Sequence, residues 1–301
     1  NISLLLFASA KKVDASSVAD SSFDDLEFIS TIDLSGLHRT NREILKRNGL
    51  TEFISGANLR YVKNSFRIGT SFVYQGYDKP FVKPLQVYNQ FDFRGQNNFS
   101  FSGDYNYVYR NINLFGEVSH NFFGSDQDRK GLAMLHGALI SLDSRASIGL
   151  LYRNYSYDYQ TFYNAGFSEG GNTQNEKGLY TGLKIKLNSV WSLNAYADVF
   201  QFPWMKYLVD APSKGHEFLV QPSYKPNKIF EVYARFRQQL RQKNSRELNN
   251  TVTEIEDVLN RPLIDADFIL SELTQGTSLS RQFYRLKPKI QFSGARIALQ
   301  V

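Results

Sequence analysis

The side chains best suited to chemistry are four histidines, His38, His120, His136 and His216, in a chain of 301 residues that has no cysteine. A histidine works as a general base when a Ser lies within reach of it and an Asp orients it. Two pairs approach that spacing, Ser119-His120 and Ser35 with His38. Adjacent strand residues point to opposite faces, so Ser119 and His120 cannot act together if their segment is extended. His38, in Gly36-Leu37-His38-Arg39-Thr40, is left as the one candidate for a hydrolytic site. Its commoner role would be a hydrogen bond that braces a loop. No strand–Ser–helix elbow, phosphate loop or His/Glu metal spacing is expected. The absence of cysteine excludes disulfides and thiolate zinc sites. These residues predict a non-enzymatic protein with no cofactor and no bound metal.

Charge narrows the partners. Lys and Arg number 35 against 29 Asp and Glu, a formal +6. The basic residues are interleaved with acids along the chain, as on a solvated surface, so the excess alone does not mark a nucleic-acid face. Tyr233-Ala234-Arg235-Phe236-Arg237 mixes rings and cations as stacking grooves do, but it also reads as ordinary strand alternation. Nucleic acid is not an expected partner.

Aromatics reach 15% at a mean hydropathy of −0.38, too apolar for a disordered chain. No run of about 18 apolar residues exists to make a spanning helix. Strands that span a membrane alternate apolar and polar residues and average out hydrophilic, so a barrel stays open. That alternation is the dominant pattern. Phe99, Phe101, Gly103, Tyr105, Tyr107 and Tyr109 share one face, against Ser100, Ser102, Asp104 and Asn106. Leu179, Thr181, Leu183 and Ile185 oppose Tyr180, Gly182, Lys184 and Lys186. Segments 66–75 and 191–202 repeat the pattern. The opening Asn1–Ala10 also reads as a strand, in a chain expected to begin inside a longer protein.

The connections alternate too. Tight turns are expected at Lys63-Asn64, Arg110-Asn111, Asp143-Ser144, Asn188-Ser189 and Pro226-Asn227. Between them run long polar connections, about 76–96, 122–130, 156–175 and 203–215. Short turns at one end and long loops at the other are the habit of outer-membrane barrels. Aromatics gather at strand ends, where an apolar body and a polar tip suit the membrane interface. Thr40-Asn41-Arg42-Glu43 spells a capping box and predicts a short loop helix. Val252, Ile255, Val258 and Leu259 before Pro262 predict a helical or irregular excursion within 242–280.

The predicted fold is therefore all-β: a transmembrane antiparallel up-and-down β-barrel of about 12–14 strands with a short loop helix. Residues 1–241 would form strands and extracellular loops, 242–280 the excursion, and 281–301 further strand. On the polar face lie Arg67, Asp104, Glu117, Arg153, Lys184, Lys186, Asp198, Arg235 and Arg237, expected to line the lumen. They would make either a charged pore or salt bridges that close it.

Several stretches resemble the C-terminal β-rich region of Bacteroidota helix-hairpin-helix (competence-protein-like) domain proteins. They include Gly36–Thr40, Gly56-Ala57-Asn58, Asp78-Lys79-Pro80, Gly137–Leu142 and Tyr152-Arg153-Asn154-Tyr155. The most specific are Phe167–Gly171 with Gln174–Tyr180, and Asn194–Asp198 with Phe202-Pro203-Trp204. The resemblance covers about residues 1–240 and implies an outer-membrane barrel that follows small periplasmic helix-hairpin-helix repeats. Those repeats, which would carry any DNA binding, are not found in this sequence.

The expected function is an accessory or structural barrel in a multi-protein envelope assembly for secretion, barrel insertion or uptake. Its loop interface, Phe167, Glu169, Asn175, Glu176, Pro203 and Trp204, would either face partners or pack loop against loop. Its surroundings would be outer-membrane lipid, lipopolysaccharide and other envelope proteins. A porin or uptake channel for solutes or DNA is the alternative, and an outer-membrane hydrolase using His38 the third.

Overall fold

The structure is a computed structural model. It describes residues 1–19, 27–123, 131–163, 166–227, 230–244, 255–270 and 282–286. Fourteen strands make one sheet: β1 Ile2–Ala19, β2 Glu27–Asp33, β3 Leu50–Lys63, β4 Phe66–Phe81, β5 Gly95–Tyr109, β6 Ile112–Phe123, β7 Gly131–Asp143, β8 Ala146–Tyr155, β9 Glu176–Lys186, β10 Trp191–Phe202, β11 Ser213–Tyr224, β12 Phe230–Asn244, β13 Ile255–Leu270 and β14 Gln282–Leu286. From β3 onward each strand pairs antiparallel with the next. Short and long connections alternate as expected, though β4 continues through Pro80 where a loop is expected from residue 76. The 122–130 connection lies mostly outside the described residues.

Closure differs from expectation. Among the described residues the pairings close only a ring of four strands. The first part of β1 pairs with β3 and its last part with β2, and β2 meets β4 through one parallel bridge, Ile29 with Phe81. Inside this ring Ala15, Ile29, Leu50, Tyr77, Phe81 and Phe93 form a buried apolar core, with Phe162 packed against it. The other ten strands extend as a meander.

Of the excursion predicted for 242–280, residues 245–254 and 271–280 lie outside the described residues, and the remainder is strand. β12 runs to Asn244, and Ile255–Leu270 is a strand paired along it. The register slips between Arg237↔Leu263 and Gln239↔Asn260, so Pro262 falls in an irregularity of the ladder. A residue without an N–H is tolerated there. The i, i+3 and i+4 apolar spacing that suggested a helix is overridden by strand pairing.

The short helix forms as its sequence requires. α1 covers Asn41–Ile44, with the Glu43 amide donating to Thr40 Oγ1 (3.3 Å) and the Thr40 amide to Glu43 Oε2 (3.2 Å). Hydrogen bonds from Arg39 also hold the Glu43 carboxyl below its usual range.

Burial across the sheet inverts the habit of soluble proteins. Phe101 is 53% exposed and Leu179 52%, while Asn98, Asn121 and Arg153 are 0% exposed. Ladder register explains this: along β4 to β9 the exposed rings of the strands lie on one face and their buried polar groups on the other. Charge buried away from water is costly unless it is paired and hydrogen-bonded, so the polar face must supply its own partners.

Candidate functional site: the loop-filled end of the polar face

Register carries all nine predicted charges, from Arg67 to Arg237, onto one face. They differ along its length. Toward the short turns Arg67, Lys184 and Lys186 are exposed; toward the long loops Arg153 and Asp198 are buried. The cause is the connection 156–175 between β8 and β9, which folds across the face.

One end of this loop reaches the first strands. Tyr163 donates to both Glu52 oxygens of β3 (2.8 and 3.0 Å), and Lys11 of β1 pairs with the same carboxylate at 3.2 Å. The Gln160 carbonyl accepts from Asn98 and Asn121, and Tyr159 donates to Ser119. The other end reaches β12, where the Glu169 carboxylate accepts from Gln239 and Arg241. On a flat sheet β3 and β12, nine strand spacings apart, would be separated by about 43 Å. Six residues of extended chain from 163 to 169 cover at most about 22 Å. Strand side chains stand roughly perpendicular to a flat sheet and add little distance along it, so the sheet curls around the loop.

Beneath the loop is an ion triad. Arg153 lies flat with Nη1 and Nη2 on the two Asp198 oxygens (2.8 and 3.0 Å) and Nε on Glu176 (2.5 Å). Glu176 also accepts the Glu169 and Gly170 amides. A fork-to-carboxylate pair with all three guanidinium nitrogens bonded is the arrangement that offsets desolvation of such charges. Gly178, opposite Arg153 in the ladder, leaves the space: a Cβ there would stand 2.4 Å from the guanidinium carbon. Next to the triad, Glu217 accepts from Arg237 Nε and Nη2 (2.8 and 2.7 Å), from Tyr196 and from Gln239.

Three connections close over this end: 82–94, 156–175 and 203–212. Trp204 Nε1 donates to the Val87 carbonyl, Phe91 packs on Trp204 and Tyr157, and Tyr88 packs on Tyr207. Asn175, at φ 51°, exchanges two hydrogen bonds with the Trp204 backbone. Together they border a cavity of about 410 Å³ lined by Tyr157, Asn175, Trp204 and Lys206 among others. The Lys206 ammonium rests 3.1 Å from the centroid of the Phe202 ring, and burial lowers its pKa to about 8.

Of the two roles expected for these loop residues, the contacts are those of packing. Asn175 and Glu176 are buried, Glu169 binds β12, the Phe167 carbonyl accepts from Tyr155, and Trp204 ties two loops together; Pro203 only opens the third connection. Glu52, Glu217 and Arg241 belong to the same networks and were absent from the sequence-derived set. Their alternation with Phe53, Phe218 and Leu240 was the signal for them.

The histidines do not assemble a base. His38 Nε2 contacts Asp14 at 2.6 Å, while Ser35 Oγ donates to Asp33. Ser119 faces inward and His120 stacks on Phe122 on the other face. Gly166-Phe167-Ser168-Glu169-Gly170 spells the Gly-x-Ser-x-Gly of a nucleophile elbow, against the expectation of none. It joins two strands, with no helix after it, and its Glu169 and Gly170 amides are spent on Glu176. Among the described residues no group of three or more acidic or histidine side chains could hold a metal ion. The arrangement ties loops to a sheet and borders a polar, aromatic cavity. The chain matches no protein-family model and no curated protein.

Proposed function

We propose that the chain is the wall of a bacterial outer-membrane β-barrel, serving as a non-enzymatic accessory or structural subunit of a multi-protein envelope assembly. The apolar outward face and the two sets of aromatic pairs along it support the membrane setting. Phe66–Tyr107 and Trp191–Tyr224 lie toward the short turns, and Tyr74–Phe99 lies toward the long loops. From Tyr107 to Phe99 is about 27 Å along the strand, or about 21 Å after a barrel tilt of 35–45°. That approaches the height of an outer-membrane apolar band. The resemblance to the Bacteroidota helix-hairpin-helix proteins agrees with this setting.

The observation that favours a structural subunit is the connection 156–175, bound from Glu52 to Arg241 across the polar face. A loop bonded along its length obstructs the path a solute would take. Purification of the tagged protein from its own membranes in mild detergent, followed by sizing and mass spectrometry, tests the role. A stoichiometric set of envelope proteins is the expected result. A lone chain would shift the reading to a channel, which the exposed Arg67, Lys184 and Lys186 favour. Bilayer conductance that falls when Lys184, Lys186, Arg235 and Arg237 are neutralised would establish that alternative.

A further inference from the structure

The outward face carries one feature that the apolar band does not explain. Lys177, Gln201 and Lys214 stand side by side on β9, β10 and β11, each paired in register with the next. The two lysines, both exposed, flank Gln201 two strand spacings apart, about 10 Å. All three sit at the strand ends nearest the long loops. One rung toward the membrane centre, Leu179, Val199, His216 and Leu240 follow in the same register. Val199 is the smallest of these, and a groove of about 570 Å³ opens over it. Tyr152, His216 and Leu240 form its sides, and the backbone of Gly178, Phe200 and Gly215 its floor.

Charge is sorted sharply here. The outward positions of β8 to β12 include no Asp or Glu, whereas the inward ones hold Glu176, Asp198 and Glu217. Two cations without outward carboxylates, at the rim of an apolar groove, complement an anion that carries a hydrocarbon chain. A free inorganic anion would gain nothing from the groove, and a neutral lipid nothing from the lysines.

We propose that this groove is a lipid site: Lys177 and Lys214, with His216 beneath them, hold a phosphate-bearing headgroup while one acyl chain lies over Val199. The site rests on the membrane reading above, because only that reading brings lipid to this face.

The full chain, placed in nanodiscs and then released into mild detergent, is examined by native mass spectrometry. Phosphatidylglycerol and phosphate-free diacylglycerol serve as probes. Retention of one phosphatidylglycerol per chain is expected, with diacylglycerol lost. Lys177→Gln with Lys214→Gln lowers that retention about tenfold, and Val199→Trp, which fills the groove and keeps both lysines, lowers it as well. Lys184→Gln with Lys186→Gln removes the same charge from the other face and leaves retention unchanged. Equal retention by the Lys177/Lys214 variant, or equal retention of diacylglycerol, overturns the site while the membrane reading stands. Failure of the unaltered chain to enter nanodiscs at all overturns the membrane reading.

Discussion

Tyr163 and Glu52 are 111 residues apart in sequence and joined by a 2.8 Å hydrogen bond across the polar face of the sheet. That bond, with the Glu169–Arg241 contact at the other end of the same loop, converts a row of strands into a curled wall around a loop. Cutting the tether at one end should loosen the loop and leave the strands. Tyr163→Phe removes one partly exposed hydrogen bond and is expected to destabilise the protein by about 1 kcal/mol. Limited proteolysis within 156–175 should quicken while the strands stay protected.

The Arg153 triad is expected to be the least forgiving position. Arg153→Met strands two buried carboxylates, a loss of about 3–5 kcal/mol by analogy with broken buried pairs. Adding Glu176→Gln and Asp198→Asn should recover a large part of it. Denaturant unfolding of the single and triple variants in the same detergent measures both.

Gly178→Ala tests the same site by space alone. A methyl group 2.4 Å from the guanidinium carbon must displace Arg153. Overpacking of this kind costs about 1–3 kcal/mol. A neutral substitution would show that the guanidinium does not lie flat against β9.

Lys206 gives a pH signature. Burial lowers its pKa from 10.5 to about 8 in the folded loops. Between about pH 8 and 10.5 the unfolded segment binds a proton that the folded one has lost, so stability rises with pH across that window. Below pH 8 both forms are charged and the contribution is flat. Protease protection of 203–212 should therefore increase from pH 8 to 10, and Lys206→Met should abolish the increase.

Much of this arrangement was legible in sequence because strand alternation is a local property. The period of two placed Arg67, Asp104, Glu117 and Lys184 on one face before any pairing was known. It failed where two periods compete, as at Val258, Leu259 and Pro262, whose helical spacing lies in a strand with a slipped register. It left open whether Asn175 and Glu176 face partners or pack on other loops, since turn residues look alike whether they face solvent or fold inward. The bonds from Tyr163 to Glu52 and from Trp204 to Val87 depend on how far the sheet curls. No local pattern encodes that distance.

The proposed membrane setting requires one face of this sheet to meet lipid and the other to meet water. Single nitroxide labels placed at Phe101, Leu114 and Ala197, and at Asp104, Glu117 and Lys184, read it directly in vesicles that contain the full chain. Labels at the first three positions should be relaxed by oxygen dissolved in the bilayer, and those at the other three by a water-soluble nickel chelate. An identical response from both sets would contradict the account.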